Sequence, residues 1–119
     1  FARHGSTIAP TIAFRDGRPV FVVGAAGNAW ITSAVYQTLL GALDAGLGAQ
    51  AALEQPRFLP GGGGPATAGA STRFTLQLED GFAPDVIDRL RTLGYDLSFV
   101  SAQGELREGY AGATRIDRR

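Results

Sequence analysis

The run Gly5 to Thr32, GSTIAPTIAFRDGRPVFVVGAAGNAWIT, constrains the fold more than any other part of the chain. Ile8, Ile12 and Phe14 are strand-favouring residues, and Pro19 to Val23 is a second apolar strand. Asp16-Gly17 between them is a strong hairpin signal, because two-residue hairpin turns call for residues that accept positive φ. The second strand enters Gly24-Ala25-Ala26-Gly27-Asn28, four small residues followed by one suited to cap a helix. A turn of that composition can bring backbone N–H groups against a bound oxyanion. The hydroxyl pair Ser6-Thr7 stands at the other end of the same run.

The chain has 119 residues, enough for one domain with a real core and too few for two ordinary ones, so 1–119 reads as a single domain. Its formal net charge is zero and its charged fraction is 18%, below the usual share of about a quarter. That balance shows no basic footprint for nucleic acid or for an anionic membrane. All of its cationic side chains are Arg. With no Cys there is no disulfide framework, thiol nucleophile or thiolate metal site, and His4 alone cannot build a histidine-ligated one. No metal or other cofactor is expected. The apolar stretches fall well short of the roughly 18 residues of a membrane-spanning helix. The chain opens on Phe1 and contains no Met, which reads as a processed or excised C-terminal piece of a longer product. Its compartment therefore cannot be read from a missing targeting signal.

Beyond the hairpin, Ala29 to Asp44 reads as an amphipathic helix. Ile31, Ala34, Val35, Thr38, Leu39, Ala42 and Leu43 follow helical spacing, and Gly46 stops it. A short second helix follows from about Gly48 to Gln55, ended by Pro56. Residues 60–71 read as a flexible Gly/Pro-rich loop. Thr72 to Leu78 alternates as a strand, with Phe74, Leu76 and Leu78 on one face. Pro84 opens a helix carrying Val86, Ile87, Leu90 and Leu93, and Gly94 closes it. Tyr95 to Val100 is a further strand, Gln103-Gly104 a turn, and Tyr110 to Ile116 the last strand. The order predicts an α+β or layered arrangement, a partial domain with a two-hairpin sheet and about three helices.

Several segments, taken in order, resemble the C-terminal part of the small subunit of gamma-glutamyltranspeptidases. They are Ser6-Thr7-Ile8-Ala9-Pro10-Thr11-Ile12, the Asp16-Gly17-Arg18-Pro19 turn, Gly24-Ala25-Ala26-Gly27 and Ile31-Thr32-Ser33. Gln55-Pro56-Arg57-Phe58, Asp80-Gly81-Phe82-Ala83-Pro84-Asp85 and Leu93-Gly94-Tyr95 continue the series. The resemblance implies an N-terminal-nucleophile hydrolase with a four-layer αββα fold. It also implies an autoprocessed precursor that transfers or hydrolyses the γ-glutamyl group of glutathione-type amides through an acyl-enzyme. The family's tandem serines, which grip the substrate α-carboxylate, fall on Ser6 and Thr7, and both keep a hydroxyl donor. Its two oxyanion-hole glycines fall on Gly27 and Asn28. Backbone N–H groups do that work, each well-placed donor stabilising the developing charge by about 2.7–4 kcal/mol.

The chain departs from the family at Asn28 for the second glycine, at Ala26 for Pro and at Trp30 for Arg, and the closing Ala-Asp-Pro-Arg motif is absent. The family's nucleophile is a Thr at the N-terminus of the small subunit, whose α-amine is the base. Thr7, Thr11 and Thr32 are internal, so this chain alone is expected to be inactive. Its expected partners are the rest of the small subunit and the large subunit of the same precursor, with a small γ-glutamyl substrate. Family members are often periplasmic or extracellular. An acylase of the same fold acting on a glutaryl or cephalosporin-type amide is the neighbouring reading. A non-catalytic homologue or partner-binding module, in which Gly27-Asn28 is only a structural turn, is the alternative of another class.

Other polar residues carry less. His4 has no Asp in a recognisable pairing and reads as a terminal residue, solvated or near the substrate mouth. Asp85, Asp88, Arg89 and Arg91 form a solvated helix face, and Glu105 and Glu108 an exposed turn. Arg57 is expected to anchor a loop rather than to touch substrate. Trp30 and Tyr36 lie outside the apolar stripe of their helix and are expected to face a partner subunit or cover a loop. The enzyme reading predicts a Thr-containing strand upstream of Phe1 in the complete gene; a gene without one contradicts it.

Overall fold

The computed structural model describes residues 6–27, 29–61, 75–100 and 110–115. In chain order the elements are β1 (Thr11–Arg15), β2 (Arg18–Ala26), α1 (Trp30–Leu43), α2 (Ala49–Glu54), β3 (Phe58–Pro60), β4 (Thr75–Glu79), α3 (Pro84–Thr92), β5 (Asp96–Val100) and β6 (Tyr110–Arg115). The mixture of α and β with three helices matches the expected class. Where the sequence predicts a sheet of two hairpins, the strands sort into two three-stranded sheets, β1-β2-β6 and β3-β4-β5. By its contacts the chain divides into two compact units, Phe1–Gln55 with Glu108–Arg119, and Pro56–Arg107.

In the first unit, β1 and β2 form an antiparallel hairpin closed by Asp16 and Gly17, with φ of 53° and 74°. Both central residues have positive φ, which matches the right-handed strand twist and is the reason an Asp-Gly pair sits here. The register runs Thr11↔Val23, Ile12↔Val22 and Ala13↔Phe21, then slips by one at Phe14↔Pro19. β6 pairs with the other edge of β2, from Phe21↔Arg115 to Ala26↔Tyr110. One face of β2 carries Phe21 and Val23, which join Val35 and Ala42 of α1 and Ala52 of α2 in the core. Ala9 and Ala13 pack on the same side. Burying side chains the size of Phe21, Val23 and Val35 contributes about 1.5–3 kcal/mol each. The opposite face exposes Ile12, Phe14 and Val22, and Ile8 just before β1 is 76% exposed.

Trp30, Ile31, Ala34, Val35, Thr38 and Ala42 of α1 are buried, all but Trp30 on the stripe read from sequence. Trp30, expected outside the stripe, is only 2% exposed and stands one turn before Ala34 on the row that continues through Thr38 and Ala42. Tyr36 is exposed, as its position on the wheel predicts. Leu43 lies at the margin of the buried arc, at 37% exposure.

The second unit holds a strand that composition hides. Phe58–Pro60 forms β3, antiparallel to β4 through Phe58↔Leu78, Leu59↔Gln77 and Pro60↔Leu76, although it abuts the Gly-rich segment. β5 runs parallel to β4, from Thr75↔Asp96 to Glu79↔Val100. The strands on either side of Gln103-Gly104 thus join different sheets, and that dipeptide lies outside the described residues, as do residues 62–74. α3 starts on Pro84 with Asp85 in its first turn and Arg89 and Arg91 in its last, charges that suit the helix dipole. Ile87 and Leu90 are half-buried, while Val86 and Leu93 are exposed.

A buried ion pair closes the base of the β3–β4 ladder. Glu79 Oε1 accepts from Arg57 Nη2 at 2.6 Å, and Glu79 Oε2 accepts from Arg57 Nε at 3.1 Å and from the Arg57 backbone N–H at 2.9 Å. The Glu79 N–H in turn donates to the Arg57 carbonyl at 2.8 Å. Both side chains are under a tenth exposed, so each charge depends on the other for its solvation. Arg57→Ala is expected to cost about 3–5 kcal/mol in urea unfolding of the protein, and the apolar pair Arg57→Met with Glu79→Leu to recover most of it. A loss below about 1 kcal/mol for the single change would place the pair among surface salt bridges.

Candidate functional site

Ser6 and Thr7 lead into β1. The Ile8 N–H donates to Ser6 Oγ at 3.3 Å, which folds this segment into a local turn. Accepting that bond leaves the Ser6 hydroxyl proton for donation outward. Ser6 is exposed and Thr7 half-buried.

Gly27 follows β2, with φ of 121°. That backbone region is essentially reserved for glycine, because a Cβ would collide with the flanking peptide. The Gly27 carbonyl accepts the Trp30 N–H at 3.1 Å, and this bond turns the strand into α1. The capping position is Ala29, with helical dihedrals and no side-chain capping bond, one residue later than the sequence predicts. Asn28 itself lies outside the described residues. The first turn of α1 holds no acidic residue, so among the described residues neither a capping side chain nor a first-turn carboxylate faces the positive end of the helix.

Hairpin register brings the two expected contact elements to one end. Thr11 is opposite Val23. Thr7 lies four residues before Thr11 and Gly27 four residues after Val23, so both sit at the open end of the hairpin, away from Asp16-Gly17. β6 contributes its own beginning there, with Tyr110 in register with Ala26. Hydroxyl donors and a backbone N–H at one end of a sheet can hold an acid that carries both a carboxylate and a polarisable carbonyl.

The remaining candidates fall elsewhere. Arg57 is committed to Glu79, which fits an anchoring role. The missed partner, Glu79, continues the alternation Thr75, Gln77, Glu79, so strand phase was the signal that could have found it. Asp88 and Arg91 pair at 3.1 Å on an exposed helix face. His4, Glu105 and Glu108 lie outside the described residues. Among the described residues no group of three acidic, His or Cys side chains could hold a metal ion, and no helix is long and apolar enough to cross a membrane.

The gamma-glutamyltranspeptidase family profile matches residues 1–118. The chain is 39% identical over 90 residues to the glutathione hydrolase proenzyme of Bacillus subtilis subsp. natto, covering 76% of this chain and 14% of that protein. It is 29% identical over 111 residues to the glutathione hydrolase proenzyme of Escherichia coli strain K12, covering 90% of this chain and 17% of that one. Its backbone follows a solved acivicin-inhibited gamma-glutamyltranspeptidase with a TM-score of 0.79 at 24% identity, over 99% of this chain and 56% of that chain. The fold is thus of the N-terminal-nucleophile hydrolase type. The chain spans only a small part of the length of these relatives.

The backbone at Gly27 generates a test of its own. Gly27→Ala is expected to lower stability by about 1–3 kcal/mol, measured by urea unfolding of the protein. An unchanged midpoint would show that the turn relaxes to a conformation open to any residue.

Proposed function

The chain belongs to the gamma-glutamyltranspeptidase family, and from that premise we propose that it is the C-terminal part of the small subunit of an enzyme that transfers or hydrolyses γ-glutamyl groups. Residues 1–119 are read as one stretch of a larger domain, completed by the rest of the small subunit and by the large subunit of the same precursor. The relatives named above are glutathione hydrolase proenzymes, so a glutathione-type amide is the substrate class.

In this reading Ser6 and Thr7 donate their hydroxyls to the α-carboxylate of the γ-glutamyl group. A Thr hydroxyl from elsewhere in the precursor attacks the γ-carbonyl, its proton passing to its own α-amine. As the carbonyl carbon becomes tetrahedral, charge collects on its oxygen, and the N–H groups of Gly27 and Asn28 stabilise it. Collapse expels the amine, which takes back the proton held on that α-amine, and leaves an acyl-enzyme that water or a second amine then takes apart. The carboxylate grip acts equally on substrate and transition state and so sets KM, whereas the oxyanion donors act as charge develops and so set kcat.

The observation that supports this reading is the hairpin register: along the chain Thr7 precedes and Gly27 follows the Thr11↔Val23 pair, each by four residues, at the open end of the hairpin. Ser6→Ala with Thr7→Val in the full-length protein is expected to raise KM for a γ-glutamyl anilide about 100-fold or more, since bonds to a charged group contribute about 1.5–3 kcal/mol each. A butyryl anilide, which lacks the carboxylate, should be indifferent to the change. An unchanged KM for the γ-glutamyl substrate would remove the grip from these residues. A glutaryl anilide keeps the carboxylate and lacks the amine, so preference for it would identify the acylase instead. Inertness towards all three, with the Thr present and autocleavage complete, would leave the non-catalytic homologue.

A further inference from the structure

The closed end of the β1–β2 hairpin carries charge that the described residues do not answer. Arg15 and Arg18 are directly opposite each other in the register, on either side of Asp16-Gly17. Directly opposed side chains share a face with Cβ atoms about 4.5–5.5 Å apart, and like charges so placed repel. The positive φ values of Asp16 and Gly17 hold that spacing. Both arginines are exposed, and neither makes an ion pair or a side-chain hydrogen bond with a described residue. Asp16 in the turn and Asp44 just past α1 are exposed too, and neither pairs with them. On the other edge of β2, Arg115 stands in register with Phe21.

Beside the arginine pair the hairpin is bulged. Ala13 pairs with Phe21 and Phe14 with Pro19, which leaves Val20 without a partner. Consecutive side chains of a regular strand point to opposite faces. Here Val20 and Phe21 line one pocket together, with Ala42 and Leu43 of α1 and with Arg15. The pocket has about 40 Å³ of free space, room for about three water-sized groups. Its walls are apolar apart from Arg15, the one charged residue that lines it.

We propose that this end of the hairpin binds a short aliphatic carboxylate: Arg15, with Arg18 opposite it, takes the carboxylate, and the bulge pocket takes a tail of about three carbons. A planar guanidinium matches both oxygens of a carboxylate. An anion held by the two arginines also offsets their mutual repulsion. A competing role for Arg15 is to face the negative end of α1, whose last turn holds no basic residue. That role leaves Arg18 and the bulge without a part. The proposal does not rest on the acyl-transfer reading, because Ser6-Thr7 and Gly27 belong to the opposite end of the hairpin.

The test titrates the full-length processed protein with butyrate and with acetate, followed by ligand-observed NMR. Butyrate is expected to bind with a Kd in the millimolar range, about ten-fold tighter than acetate, because two more methylenes leave water. Arg15→Gln is expected to weaken butyrate about ten-fold or more, and Arg18→Gln to weaken it by a smaller factor. Both side chains are exposed, so the urea midpoints of the two variants should stay near that of the unsubstituted protein. Absence of butyrate binding to the unsubstituted protein overturns the proposal. So does equal affinity for acetate and butyrate, or binding that neither Arg15→Gln nor Arg18→Gln weakens. A lowered midpoint for Arg15→Gln beside unchanged butyrate binding also overturns it, and leaves Arg15 to the helix end.

Discussion

Strand β2 is the member on which the first unit depends. It is nine residues long, pairs with β1 on one edge and β6 on the other, and turns Phe21 and Val23 into the core against α1 and α2. A slip of one residue would swing both side chains outward and bring Val22 and its neighbours in. The helices are built for the present phase, with small residues at the close approaches: a Cβ at Gly41 of α1 would already meet the Ala52 Cβ of α2 at 3.3 Å. Register is therefore fixed by packing on one side and by the Asp16-Gly17 turn at the end.

The two units are held by different physics. The first rests on apolar burial around β2, while the second encloses an ion pair between Arg57 and Glu79 at the base of its antiparallel ladder. A buried pair of this kind adds little net stability over an apolar pair of the same shape, but it penalises any pairing that leaves one charge alone. It thereby favours one register of a strand only three residues long. That is a reason for a charged pair to sit where the strand itself is too short to specify its partner.

Local signals were legible in the sequence and non-local ones were not. Asp16-Gly17, the helix from Trp30 to Leu43 and the Pro84 start of α3 each follow from the chemistry of a few adjacent residues. β3 escaped because three residues ending in Pro, beside a glycine run, carry no period. The parallel pairing of β4 with β5 and the pairing of β6 with β2 join segments far apart in the chain, and alternation along a strand does not name its neighbour. Trp30 lies one turn before Ala34 on a row the sequence stripe already held, so the reading stopped one turn short of the start of the helix. The residues proposed for the site, Ser6, Thr7, Gly27 and Asn28, come from the resemblance alone; the register adds that Ser6-Thr7 precede and Gly27 follows the paired residues of one hairpin.

The central claim is that one hairpin offers two grips on a single substrate, hydroxyls at Ser6 and Thr7 and a backbone donor at Gly27. A crystal structure of the full-length processed protein with glutamate bound tests it most directly. The account predicts the α-carboxylate within hydrogen-bond distance of the Ser6 and Thr7 hydroxyls, and a γ-carboxyl oxygen facing the Gly27 N–H. Glutamate bound with its carboxylates away from both elements would contradict it.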